Sequence, residues 1–216
     1  MIKKREMVDG AAAIARGALD AGCNYYAGYP ITPASGILTH MLRELPKVGG
    51  IGFQGEDEIS SLGHCIGAAM TGATVFTATS GPGLSLYSEN LGLAIMMEVP
   101  IVIAISQRLG PSTGAATASA QGDIQFMRWG TTGGYPMIVL APTNISECYH
   151  LTKRAFQLAK RFRTPVFLAT DKDTVMTTES VSVNDMKNAP DWPKIPNGGV
   201  GKELDPYQID GEIHHY

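Results

Sequence analysis

Apolar positions along the chain follow two alternating rhythms. Short runs rich in β-branched, aromatic or other apolar residues occur at about 24–28, 51–54, 73–79, 100–106, 137–141 and 165–169, separated by segments long enough for helices. Continuous apolar runs of this kind suit strands buried on both faces. Between them the spacing becomes helical. Residues 7–22 place Ala12, Ile14, Ala15, Leu19 and Ala21 at roughly helical spacing and end in Gly22, a residue common just past a helix end. Residues 56–71 carry Ile59, Leu62, Ile66 and Met70 at helical spacing, and 144–161 open on "NISE", with Asn144 as the cap and Glu147 three positions on. This alternation predicts an α/β fold: a doubly wound, mostly parallel sheet with helices on both faces. The rhythm ends near residue 176. Residues 177–216 are rich in Pro, Gly and Asn and read as a linker or draped tail after a domain spanning 1–176.

Composition narrows the function. With 216 residues, 44% of them hydrophobic, the chain can build one sizeable core. A net charge of −3, with no basic patch beyond "KKR" at 3–5, argues against nucleic acid as the main partner. No apolar run approaches the roughly 20 residues of a membrane span, and the N-terminus lacks an apolar signal core, so the chain reads as cytoplasmic. Cys23, Cys65 and Cys148 are odd in number and far apart, which excludes a disulfide framework or a CxxC metal motif built from this chain alone.

In doubly wound sheets ligands gather at the carboxyl ends of the strands. The segments there are "YPITP", "QGEDEIS", "TSGPGLS" and "SQRLGPSTG", rich in Gly, Pro, Ser and Thr, with one acidic cluster and one arginine. Standard nucleotide motifs are not met. "SGPGLSL" lacks the third glycine of GxGxxG, and "NGGVGKE" has no glycine five residues before Gly201 and Glu203 in place of Ser or Thr. His40, His64 and His150 are single helix residues, and the His214–His215 pair lies in the tail. Glu56, Asp57 and Glu58 admit two roles: acids that complement the dipole of a first helical turn, or a corner that buries one carboxylate able to share a proton with a ligand ring.

Taken together, "GYPITPAS", "GEDEISSLGHCIGAAMTGA", "TATSGPGLSLYSENLGLAIMMEVPIVI" and "QRLGPSTG…QGD" resemble the α subunit of 2-oxoacid:ferredoxin oxidoreductases, specifically the 2-oxoglutarate type, in order from about residue 7 to 176. The resemblance implies a thiamine diphosphate-binding fold. In such enzymes the cofactor lies between two similar domains, one binding the diphosphate and Mg²⁺ and the other gripping the aminopyrimidine; this chain is similar to the second. Glu58 then matches the glutamate that hydrogen-bonds ring nitrogen N1′ and favours the imino tautomer, which takes the proton from the thiazolium C2. Thr32 matches a threonine that donates to the substrate carboxylate, and its two flanking prolines fix the backbone; a cap at Thr32 with Pro33 in the first helical position stays open beside it. Arg108 matches an arginine facing the same carboxylate, with a structural ion pair as the alternative. Ser80, Gly81 and Gly83 would bring backbone close to the cofactor, or simply form a tight turn. Ser112 and Thr113 would meet the distal end of the substrate.

The departures from the family pattern are as informative. The chain has no GDG followed by about thirty residues and an asparagine to hold Mg²⁺ and diphosphate, and no cluster cysteines. The resemblance therefore implies a β subunit carrying the diphosphate and Mg²⁺ site and a [4Fe-4S] cluster, an αβ pair that dimerises again, ferredoxin as electron acceptor and coenzyme A as acyl acceptor. No metal is expected on this chain. Rival expectations are the same chemistry on pyruvate, a branched-chain or an aryl 2-oxoacid, and a non-catalytic scaffold; Thr32, Glu58 and Arg108 together speak against the scaffold.

Overall fold

The computed structural model describes residues 5–183, 186, 188 and 190–195. Strand β1 (Arg5–Asp9) is followed by α1 (Gly10–Asp20), β2 (Tyr25–Gly28), α2 (Ser35–Glu44), a 3-10 turn at Leu45–Val48 and β3 (Ile51–Gln54). Then come α3 (Glu58–Met70), β4 (Val75–Thr79), α4 (Gly81–Leu86), α5 (Ser88–Met96) and β5 (Ile101–Gln107). The last elements are α6 (Asp123–Trp129), β6 (Ile138–Leu140), α7 (Ile145–Phe162), β7 (Val166–Asp171), α8 (Lys172–Met176) and β8 (Thr178–Ser182). Six strands form a parallel sheet in the order β3-β2-β4-β5-β7-β6, and β1 pairs antiparallel with β8 in a separate ribbon.

Strand geometry sorts successive side chains to opposite faces. On β5, Val102 and Ala104 join the core under α1, α2 and α7, whereas Ile101, Ile103 and Ile105 join the core under α3, α4, α5 and α6. On β7, Val166 and Leu168 go to the first core and Phe167 and Ala169 to the second. Both faces are therefore apolar, which is why these strands read as unbroken hydrophobic runs. The three cysteines are free and buried. Among the described residues no helix is long and apolar enough to cross a membrane.

The chain leaves β2 toward the edge strand β3, then crosses back so that β4 lies on the other side of β2. This reversal opens a crevice at the carboxyl ends of β2 and β4, where an open α/β sheet takes its ligand. Across that boundary the Thr77 hydroxyl donates to the Ala27 carbonyl at 2.7 Å and pairs with the Tyr87 hydroxyl at 2.9 Å.

Three features differ from the sequence pattern. Residues 7–9, read there as the start of a helix, belong to β1, and Asp9 caps α1 by accepting from the Ala12 N–H at 2.7 Å. The tail assigned to 177–216 begins with β8, whose partner is β1. Neither strand is visible locally, because each exists through its pairing with the other, far away in the chain. Farther on, Trp192 packs against the first core, and Arg154 donates to the Pro193 carbonyl at 2.6 Å. Finally, α3 buries the face carrying Glu58, Ser61, Leu62, Cys65, Ile66 and Ala69, while Ile59 and Met70 stay 49% and 39% exposed. The "NGGVGKE" stretch and the His214–His215 pair lie outside the described residues.

Candidate active site

Glu58 owes its position to the phase of α3. Asp57 caps the helix, accepting from the Ser60 N–H at 2.7 Å in a capping box, and Glu56 is exposed. Glu58, first residue of the helix proper, turns inward and is only 6% exposed. Of the three acids, one is thus a cap, one faces solvent and one is buried. Burial raises the Glu58 pKa above the usual carboxylate value; its own backbone N–H opposes this, the Asp57 charge adds to it and the Arg108 charge opposes it.

The β4-to-α4 corner lies against that carboxylate. A Cβ at Gly83 would overlap the Thr79 hydroxyl and stand 2.6 Å from Glu58 Oε1, so only glycine lets the corner close over the acid. Ser80 occupies the capping position of α4 but makes no capping bond, and its buried Oγ, like Thr79 Oγ1, has no hydrogen-bond partner among the described residues. Gly81 has a φ of +39°, the left-handed region, and the Arg108 side chain lies over it, with Nε 3.3 Å from where a Cβ would stand.

Arg108 follows β5 and is 4% exposed. Its guanidinium spans the rim, donating to the Thr32 carbonyl at 2.6 Å and to the Thr113 carbonyl at 2.9 Å, and its Nε–H has no partner among the described residues. Thr32 is therefore joined to Arg108 through its backbone. It is not a helix cap, since α2 starts at Ser35 after Ala34. Ser112, with a φ of +53°, and Thr113 lie on the exposed loop after β5.

The structure thus gathers Thr32, Ser80, Gly81, Gly83, Glu58, Arg108 and Thr113 at one end of the sheet, with Ser112 on the adjoining loop. Two participants lie inside segments quoted from the sequence, Thr79 in "TATSGPGLS" and Asp123 in "QGD", but were not singled out there. Thr79 reads as an ordinary strand residue. Asp123, first residue of α6, reads as a helix-start acid, yet it accepts from the Gly81 N–H at 3.2 Å. A separate groove of about 830 Å³ lies along α3 and the edge strand β3, lined by Ser60, Gly63, His64 and Ile51 among others, away from these residues. Among the described residues no group of three or more His, Cys, Asp or Glu side chains could hold a metal ion.

The family described as "Pyruvate flavodoxin/ferredoxin oxidoreductase, thiamine diP-bdg" matches residues 16–198. The chain belongs to this pyruvate flavodoxin/ferredoxin oxidoreductase family. Within it, the chain is 49% identical to the 2-oxoglutarate synthase subunit KorA of Archaeoglobus fulgidus over 82% of its own length and 51% of that protein. It is 43% identical to the ketoisovalerate oxidoreductase subunit VorB of Methanothermobacter thermautotrophicus over 77% of its length and 47% of that protein. The fold matches the solved 2-oxoglutarate:ferredoxin oxidoreductase from Magnetococcus marinus, with 2-oxoglutarate, coenzyme A and succinyl-CoA bound, at a TM-score of 0.81 and 37% identity, covering 83% of this chain and 32% of that one. The chain spans about half the length of the curated relatives it matches. The site fits the thiamine diphosphate of the pyruvate flavodoxin/ferredoxin oxidoreductase family on its own terms: a buried carboxyl with a raised pKa, a glycine that a side chain would displace, and buried Thr79, Ser80 and Arg108 polar atoms left without partners.

Proposed function

We propose that this chain supplies the aminopyrimidine-binding half of a 2-oxoglutarate:ferredoxin oxidoreductase. The observation that carries the reading is the Glu58 carboxyl, buried at the strand-to-helix corner beneath Gly83. A carboxyl whose pKa is raised by burial can share a proton with a ring nitrogen, which a solvated carboxylate does poorly. Ser80, Gly81 and Gly83 line the approach, and the orphaned Thr79 and Ser80 hydroxyls are free to bond a ring substituent. Thiamine diphosphate, when bound, supplies the nucleophilic carbon and the electron sink for decarboxylating a 2-oxoacid.

This chain's own residues orient the substrate. The Arg108 guanidinium, preset by two backbone carbonyls, keeps Nε–H and its remaining donors for a carboxylate. Thr32, whose carbonyl accepts from that guanidinium, would give its hydroxyl to the same carboxylate, and Ser112 and Thr113 on the adjoining loop would meet the far end of a longer 2-oxoacid. The domain comprises residues 1–176 together with β8. The diphosphate, Mg²⁺ and a [4Fe-4S] cluster fall to a β subunit, the pair assembles further as a dimer of αβ units, coenzyme A takes the acyl group and ferredoxin the electrons.

Support for 2-oxoglutarate comes from the names of the relatives and from the ligands in the Magnetococcus structure. A branched-chain 2-oxoacid is the second reading, favoured by the ketoisovalerate relatives. The test is anaerobic purification of this chain with its native partner, followed by coenzyme A-dependent reduction of a low-potential dye with a panel of 2-oxoacids. Activity led by 2-oxoglutarate supports the proposal, activity led by 2-oxoisovalerate selects the second reading, and a complex inert to every 2-oxoacid overturns both.

A further inference from the structure

The Proposed function leaves Asp123 unused, although it lies at the centre of the rim. It opens α6, which is anchored to the second core by Met127 and tied back by the Ser88 hydroxyl donating to the Gly130 carbonyl. From this fixed point its carboxylate accepts from the Gly81 N–H at 3.2 Å; burial raises its pKa, while the Gly81 and Arg108 backbone N–H groups and the Arg108 charge favour the ionised form. These two residues are the ones that set the guanidinium. Arg108 carries it, and Gly81 is the surface over which its stem is laid. Gly81 holds a left-handed conformation, so its N–H must be pointed and kept there by an acceptor.

We infer that Asp123 is a positioning residue for substrate recognition: by holding the Gly81 main chain, over which the Arg108 stem lies, it fixes the direction in which the Arg108 guanidinium meets the substrate carboxylate. The inference rests on the 2-oxoacid reading of the same site. A neutral amide in its place would retain the volume but lose the charge and turn one acceptor into a donor.

The experiment uses the assembled enzyme and four variants: Asp123→Asn, Asp123→Ala, Arg108→Ala and the double variant Asp123→Ala/Arg108→Ala, with 2-oxoglutarate as the varied substrate. Arg108→Ala raises the KM by about a hundredfold, the loss expected when one partner of a desolvated charge pair is truncated. Asp123→Asn and Asp123→Ala each raise the KM by about tenfold with kcat held within about twofold, because binding is weakened equally in ground and transition states. In the Arg108→Ala background Asp123→Ala raises KM no further, since nothing is left to position. The inference is overturned if the two Asp123 effects are absent, or if they multiply with that of Arg108→Ala. If Arg108→Ala itself leaves KM unchanged, the carboxylate role given to Arg108 fails and this inference falls with it. Should Asp123→Ala fail to assemble, the isosteric Asp123→Asn, paired with Asp123→Asn/Arg108→Ala, gives the same cycle.

Discussion

The corners after β3 and β4 take only Gly55–Asp57 and Ser80 before the next helix begins, whereas the segment after β5 runs from Arg108 to Gly122 before α6. The short corners sit directly on packed core, so their buried side chains have almost no freedom, and the carboxyl, the glycine and the two orphaned hydroxyls are held in register. The long loop is exposed and is held by a few tethers instead: Arg108 to the Thr113 carbonyl, the Leu109–Ala115 bridge and the Ser119 hydroxyl donating to Asp173 at 2.5 Å. In the proposed function, fixed chemistry is placed where geometry is tightest, and substrate fit where the chain can be adjusted without disturbing the core. The difference also makes Arg108 a link between the regions, because one guanidinium reaches from the loop to the Thr32 turn.

Breaking the tight corner gives the largest effects. Glu58→Gln keeps the shape of the corner and removes the proton relay, so turnover of the assembled enzyme falls by about 10²- to 10⁴-fold while assembly persists, as read from steady-state rates and gel filtration. Undiminished turnover would remove Glu58 from the chemistry. The same variant has a stability signature. Because burial raises the Glu58 pKa, the folded chain holds that proton more tightly than the unfolded chain, and stability falls as pH rises from the ordinary glutamate value through the raised one. Glu58→Gln lacks this loss, so its melting temperature gains on the parent across that window and matches it at lower pH.

Gly83→Ala strikes the same corner sterically. The added methyl overlaps Thr79 Oγ1 and crowds Glu58 Oε1. Overpacking costs about 1–3 kcal/mol, against which helix propensity returns at most about 1 kcal/mol, so thermal denaturation shows a net loss and turnover drops with it as the carboxyl is displaced. Asp57→Ala removes the cap below Glu58 and destabilises by about 1 kcal/mol in the same assay. In the loop, Ser112→Ala changes stability by no more than about 0.5 kcal/mol, since the side chain is exposed. A loss as large as that of Asp57→Ala would erase the contrast between corner and loop.

All six parallel strands were legible in the sequence as short apolar runs between helix-length segments, and the central β4, β5 and β7 most clearly, because a strand covered on both faces must be apolar along its whole length. The capping of α7 by Asn144, which accepts from the Glu147 N–H at 2.9 Å, is equally local. The residues of the candidate site were legible as types at the ends of those strands, and the family match places the chain among thiamine diphosphate-binding proteins. Tertiary structure decided the rest. The β1–β8 ribbon depends on hydrogen bonds between chain segments that are separated by the whole domain, and propensity carries no trace of a distant partner. Which of three adjacent acids is buried was set by the rotation of α3 against the sheet, and the exposure of Ile59 and Met70 by the same rotation. Asp123 gained its place because α6 docks beside α4, bringing a carboxylate to the Gly81 N–H across 42 residues of sequence. Patterning fixes which segments form strands and helices; only packing fixes which of their residues are buried and which polar group each buried side chain will meet.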